Sequence, residues 1–142
     1  EIAQEIAKSN AKKIYVCNIM TQPGETDNYS VSDHIRALMQ HANSNNIIDA
    51  VLVNDCIPDN LAKKYEQANS YPVKFDYENV RKLGVKLFPK KLIEDSKEGY
   101  VRHSSNRVAR AIYYWFKKVN KTDRVGVFSY SDSSNAECAV KW

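Results

Sequence analysis

Asn18-Ile19-Met20-Thr21-Gln22-Pro23-Gly24-Glu25-Thr26-Asp27-Asn28-Tyr29 is the stretch whose reading decides the fold. The apolar run Ile14 to Cys17 leads into it, and a helical pattern from Val31 to Ala42 leads out. A strand, a polar loop and a helix in that order place a binding loop at the carboxyl end of a sheet strand. Pro23-Gly24 bends the chain, because proline fixes φ and glycine tolerates positive φ. Ser30, with Asp33 three residues on, reads as a capping box. The helix it opens is expected to offer unpaired N–H groups and a positive dipole end to an anion.

Upstream of the loop, Ile2, Ala3, Ile6 and Ala7 recur at helical spacing, which predicts a helix over 1–9. Ile14 to Cys17 is continuously apolar and not alternating, as in a strand covered on both faces of a parallel sheet. Downstream, Val31, Ile35, Leu38, Met39 and Ala42 make one apolar stripe, and Asn43 to Asn46 end it. Ile47 to Val53 reads as the next buried strand, closing on Asn54-Asp55. A helix is predicted over 61–69 with Asp59 or Asn60 as N-cap, an extended piece over 72–75, and a helical turn or two over 78–83 ended by Gly84. Val85 to Phe88 reads as a strand and Leu92-Ile93 as the start of another. Gly99 breaks a hairpin-like stretch, and Tyr100 to His103 returns as a strand end. Ser104 or Ser105 then caps a helix carrying Val108, Ala111, Ile112, Trp115, Phe116 and Val119. Val125 to Tyr130 reads as a further strand, followed by a turn over 132–135. Alternating β and α segments at these lengths predict an α/β fold with a mostly parallel sheet and helices on both faces.

With 142 residues the chain fits one domain. A net charge of +4 permits an anionic ligand but does not call for nucleic acid. No apolar run reaches the ~18 residues a membrane span needs. Cys17, Cys56 and Cys138 stand far apart without a CxxC or His/Cys cluster, so neither a zinc site nor a disulfide framework is read. A reduced, cytoplasmic setting is expected.

The block Ile14 to Thr26, with Ser32-Asp33-His34, resembles the bacterial gluconeogenesis-factor family, which is related to the 2-phospho-L-lactate transferases of deazaflavin cofactor synthesis. Ile48 to Asp55, Ile57-Pro58, Lys64-Tyr65-Glu66, Pro72-Val73, Leu83-Gly84 and Arg102-His103 continue the resemblance in family order. It implies a Rossmann-like fold, a cytoplasmic protein and binding of a nucleotide sugar, UDP-N-acetylglucosamine. It also implies a regulatory role in gluconeogenic growth, cell shape and cell-envelope synthesis. The family's Gly-rich phosphate loop has no match here; the glycines are Gly24, Gly84, Gly99 and Gly126. Residues 1–120 are therefore expected to be the carboxyl-terminal part of a nucleotide-sugar-binding domain, with 121–142 a tail of unassigned role. Self-association, or pairing with a missing amino-terminal half, is expected as well.

Asn18, Thr21, Gln22, Glu25, Thr26 and Asp27 are the candidate ligand loop; the plain alternative is a polar connection that caps its own helix. Asn54 and Asp55 end a neighbouring strand on the same edge, where turn residues are also common. Arg102-His103 is the best cationic pair, since arginine grips a diphosphate bidentately. Tyr65 is a candidate for stacking on a base or sugar, or else half-buried core. Arg107, Arg110, Lys117, Lys118 and Lys121 give the last helix a basic face, read as solvated more than as a nucleic-acid patch. No nucleophile elbow or Cys-His pair points to catalysis. The alternative is a metal-dependent phosphotransferase resembling 2-phospho-L-lactate transferase, in which Glu25, Asp27 and Asp55 would hold Mg²⁺ beside a diphosphate.

Overall fold

The computed structural model of the chain describes residues 2–94 and 101–122. The expectations for Gly99-Tyr100, the strand over 125–130, the tail beyond Thr122 and Cys138 lie outside the described residues. At the centre is β2 (Ala50–Asn54), flanked by β1 (Ile14–Val16) and β3 (Lys86–Lys90) in a three-stranded sheet of order β1-β2-β3. Both pairings are parallel, with Tyr15 opposite Val51 and Val51 opposite Leu87. The Cys17 N–H continues the ladder to Leu52 O at 2.9 Å. The parallel sheet predicted from the two unalternated runs is present.

Alternate side chains of β2 feed two cores. Val51 and Val53 pack with Val31, Ile35, Met39 and Ala42 of α2 (Val31–Ala42) and Val80 of α4 (Tyr77–Lys82). Leu52 packs on the opposite face with Leu92 and with Ala111, Val108 and Ile112 of α5 (Ser105–Thr122). Helices therefore cover both faces, and a strand buried on both sides has no reason to alternate. Each fully buried Val, Leu or Ile is worth about 1.5–3 kcal/mol. Helix α1 (Ile2–Lys8) lies against α2, with Ala3 on the core and Ile2 exposed. The remaining helix, α3 (Asp59–Glu66), follows β2.

Several boundaries differ from expectation. Ile47 and Ile48 are buried but precede β2, because Asp49 turns the chain there. The Asp49 carboxylate accepts from Lys13 N–H at 2.6 Å, setting the β1–β2 register at its mouth. Helix α3 begins at Asp59 after Pro58, with no side-chain cap. The strand after Gly84 extends through Pro89, which an edge strand tolerates. Leu92-Ile93 makes no strand; Ile93 forms a single antiparallel bridge with His103.

The capping box at α2 is present, with Ser30 and Asp33 bonded reciprocally. The open anion site expected there is not. Asp76, at the start of α4, fills that helix terminus: its carboxylate accepts from Ser32 N–H at 3.0 Å, Ser32 Oγ at 2.6 Å and Ser30 Oγ at 3.0 Å. Asp33 and His34 N–H donate to Ser30 O, and Val31 N–H to Lys74 O. A carboxylate from the chain itself already satisfies the dipole and the terminal donors.

Candidate functional site

The loop after β1 holds itself together through its own polar residues. Gln22 N–H donates to Thr26 Oγ1 and Gly24 N–H to Asp27 Oδ2, both at 2.8 Å. Gly24 has φ of 79°, the left-handed conformation the Pro-Gly step predicts. One end of the loop is clasped to a segment far along the chain. Thr21 N–H donates to Tyr71 O at 2.7 Å, Thr21 Oγ1 accepts from Tyr71 N–H at 2.9 Å, and Ser70 Oγ donates to Thr21 O at 2.6 Å. Thr21 and Ser70 are both buried, so each of these bonds replaces one with water.

This clasp shapes a cleft of about 660 Å³ beyond the carboxyl end of β1. The walls are the loop from Asn18 to Pro23, Tyr65, Ala68 and Ser70, and the segment Val101-Arg102-His103. The volume falls in the range of about 300–1,000 Å³ usual for small-molecule sites. Tyr65 bridges two of the walls, its hydroxyl accepting from Val101 N–H at 2.8 Å. Arg102 is exposed at the rim. His103 is half-buried, and its Nε2 has no hydrogen-bond partner. Burial holds its pKa below the ordinary imidazole value, against a smaller opposing contribution from the Cys17 backbone. His103 is thus neutral at pH 7, and Arg102 alone supplies full charge in the pair read as cationic. Just before the cleft loop, burial pushes the Cys17 thiol up to about 12, so it is an inert thiol.

Of the candidate residues, Asn18, Thr21, Gln22, Tyr65, Arg102 and His103 line this one cleft. Glu25, Thr26 and Asp27 do not line it; Thr26 and Asp27 fold the loop. Asn54 lies on the same sheet edge, but its amide staples the chain: Oδ1 accepts from Leu92 N–H at 2.8 Å, and Nδ2 donates to Cys56 O at 2.6 Å. Asp55 is exposed beside it, outside the cleft lining. Among the described residues no three or more His, Cys, Asp or Glu side chains are grouped as metal ligands, so Glu25, Asp27 and Asp55 do not form such a group. No helix among the described residues is long and apolar enough to cross a membrane. Ser70, Tyr71 and Asp76 are not singled out by sequence reading. Their signal is in folded contacts, although Pro72 does mark the extended segment that carries the clasp.

Ser70→Ala is expected to lower stability by about 1–3 kcal/mol, because it leaves the buried Thr21 carbonyl without its donor. Urea unfolding measures this; a loss below about 0.5 kcal/mol would mean that water replaces the hydroxyl.

Residues 1–93, which span the loop and all three strands, match the family described as 2-phospho-L-lactate transferase CofD. A putative gluconeogenesis factor of Nostoc sp. is 41% identical over 117 residues, covering 82% of this chain and 26% of the relative. The gluconeogenesis factor of Bacillus subtilis is 41% identical over 110 residues, covering 77% of this chain and 34% of the relative. The crystal structure of a UPF0052-family protein from Bacillus halodurans matches with a TM-score of 0.73 at 37% identity, covering 78% of this chain and 36% of that one. The chain therefore spans about a quarter to a third of the length of these relatives.

Proposed function

The chain belongs to the CofD family, with bacterial gluconeogenesis factors among its relatives, and from that premise we propose that it binds a nucleotide sugar in the cleft between the Asn18–Pro23 loop and Arg102. The ligand is UDP-N-acetylglucosamine, and the role is regulatory, linked to gluconeogenic growth, cell shape and envelope synthesis, in the cytoplasm. One observation carries the reading: a loop at the carboxyl end of a parallel strand faces an arginine and a tyrosine across a cleft of ligand size. Arg102 suits a diphosphate, Tyr65 presents a ring for a base or sugar, and Asn18 and Gln22 supply amides for sugar hydroxyls. The phosphotransferase alternative has no comparable support, since Glu25, Asp27 and Asp55 are not gathered around a metal position.

Calorimetric titration with UDP-N-acetylglucosamine tests this, with UDP and free N-acetylglucosamine as controls. Arg102→Ala is expected to weaken binding by about 1.5–3 kcal/mol, the range for a hydrogen bond to a charged group. No heat from the unaltered chain would reject the ligand. An unchanged affinity in the variant would remove Arg102 from the site.

A further inference from the structure

Helix α5 turns one face to the sheet and an aromatic, basic face outward. Ala111 packs with Leu52 of the sheet and Trp115 is buried, each only 8% exposed. On the opposite side, Arg110, Tyr113, Tyr114 and Lys117 follow the i, i+3, i+4, i+7 pattern of a single stripe, and all four are exposed. Tyr113 is 62% exposed, Tyr114 58% and the flanking Phe116 52%. Large aromatic rings this open, crowded into one turn, are unusual on a solvated helix face. Lys117 Nζ lies 5.5 Å from the centroid of the Tyr113 ring, so cation and aromatic are set side by side. The sequence of α5 contains no acidic residue.

We propose that this stripe is a docking surface for an acidic, amphipathic segment of another protein. Charge complementarity selects the occupant. A second copy of the chain would set two acid-free basic helices against each other, which like charges oppose. Nucleic-acid affinity is built from many phosphate contacts, whereas here a few cations flank an aromatic centre. Aromatic residues and arginine are the types enriched where protein partners bury their anchors. The occupant therefore carries carboxylates that pair with Arg110 and Lys117, and apolar side chains that cover Tyr113 and Tyr114. At 1.5 Å per residue, α5 presents a face of about 27 Å, enough for a partner helix of similar length.

The test is fluorescence anisotropy on the full chain with a labelled helical peptide of ~18 residues, built from leucine on one face and glutamate on the other. Comparators are the same peptide with lysine for glutamate, a single-stranded oligothymidine and phosphatidylglycerol vesicles. The glutamate peptide is expected to bind best. Tyr113→Ala combined with Tyr114→Ala should weaken it at least ~10-fold. Arg110→Glu combined with Lys117→Glu should reverse the preference toward the lysine peptide. All four side chains are exposed, so the variants are expected to keep the fold, and circular dichroism checks this. Absence of glutamate-peptide binding, equal binding of the two peptides, tighter binding to the oligonucleotide or vesicles, or no effect of the charge reversal would each overturn the proposal.

Discussion

Leu52→Ala is expected to cost about 2–5 kcal/mol of stability, the most of any single truncation in the sheet. Leu52 lies at the middle of the central strand with no solvent exposure, and it carries β2 into the core beneath α5. Its removal leaves a cavity between Leu92 and Ala111 that a strand paired on both sides cannot collapse to fill. The expected observation is a fall in the urea midpoint with an unchanged slope. A loss under about 1 kcal/mol would show that α5 does not pack tightly on the sheet. The matching truncation on the other face, Val51→Ala, removes less volume and should cost less.

The second large effect is at Asp76. Asp76→Ala is expected to cost about 2–3 kcal/mol, because it strips the α2 terminus of its acceptor and leaves the N–H of Ser32, a residue with no exposed surface, unsatisfied. Ser32 N–H and Oγ, Ser30 Oγ and Asn79 Nδ2 all donate to this carboxylate. The loss stays below the sum of those bonds because the carboxylate is only partly buried. The pH dependence has a definite sign. Burial pushes the Asp76 pKa up, but the hydrogen bonds from Ser32, Asn79 and Ser30 together outweigh it and bring it below the ordinary aspartate value. A depressed carboxylate contributes its full stability above the unfolded pKa, near ~3.9, and loses it as pH falls through the lower folded value. The difference between the unaltered chain and Asp76→Ala should thus be constant from neutral pH down to about 5 and shrink below about 4. Asp33, depressed mainly by its bond from Ser30, titrates in the same direction. A difference that grew on acidification would refute the assignment.

What is legible in the sequence and what is not divides along the reach of the interactions. Ile14 to Cys17 and Ala50 to Val53 read as parallel strands because two-sided burial removes alternation, and that is visible within a few residues. Ser30 with Asp33, and Gly84 at φ of 74°, mark helix ends through contacts at most a turn away. Asp59 and Asn60 have the chemistry of caps for α3, yet Pro58 takes that position without a side-chain bond. Leu92 and Ile93 have the apolar character of a strand. The Asn54 amide holds their backbone and α5 covers Leu92, so they are buried with a single bridge, Ile93 to His103, in place of a strand.

The candidate site shows the same division. That a polar loop leaves the carboxyl end of β1 follows from residues 14–42 alone, and so does the covering of the sheet by helices. The sequence by itself therefore determined the fold class, the order of most elements and the sheet edge from which the polar loop leaves. Only the tertiary structure decided which polar residues face the cleft. Thr21 meets Ser70 and Tyr71, 49 and 50 residues on; Tyr65 meets Val101, 36 residues on; and Asp76 closes a helix whose serines lie 44 and 46 residues before it. The physical reason is that periodicity, capping and turn chemistry act within about four residues along the chain. A hydrogen bond between distant segments depends instead on how packed faces bring them together. Thr26 and Asp27 spend their side chains on folding their own loop, and Asn18, Gln22 and Arg102 line the cleft.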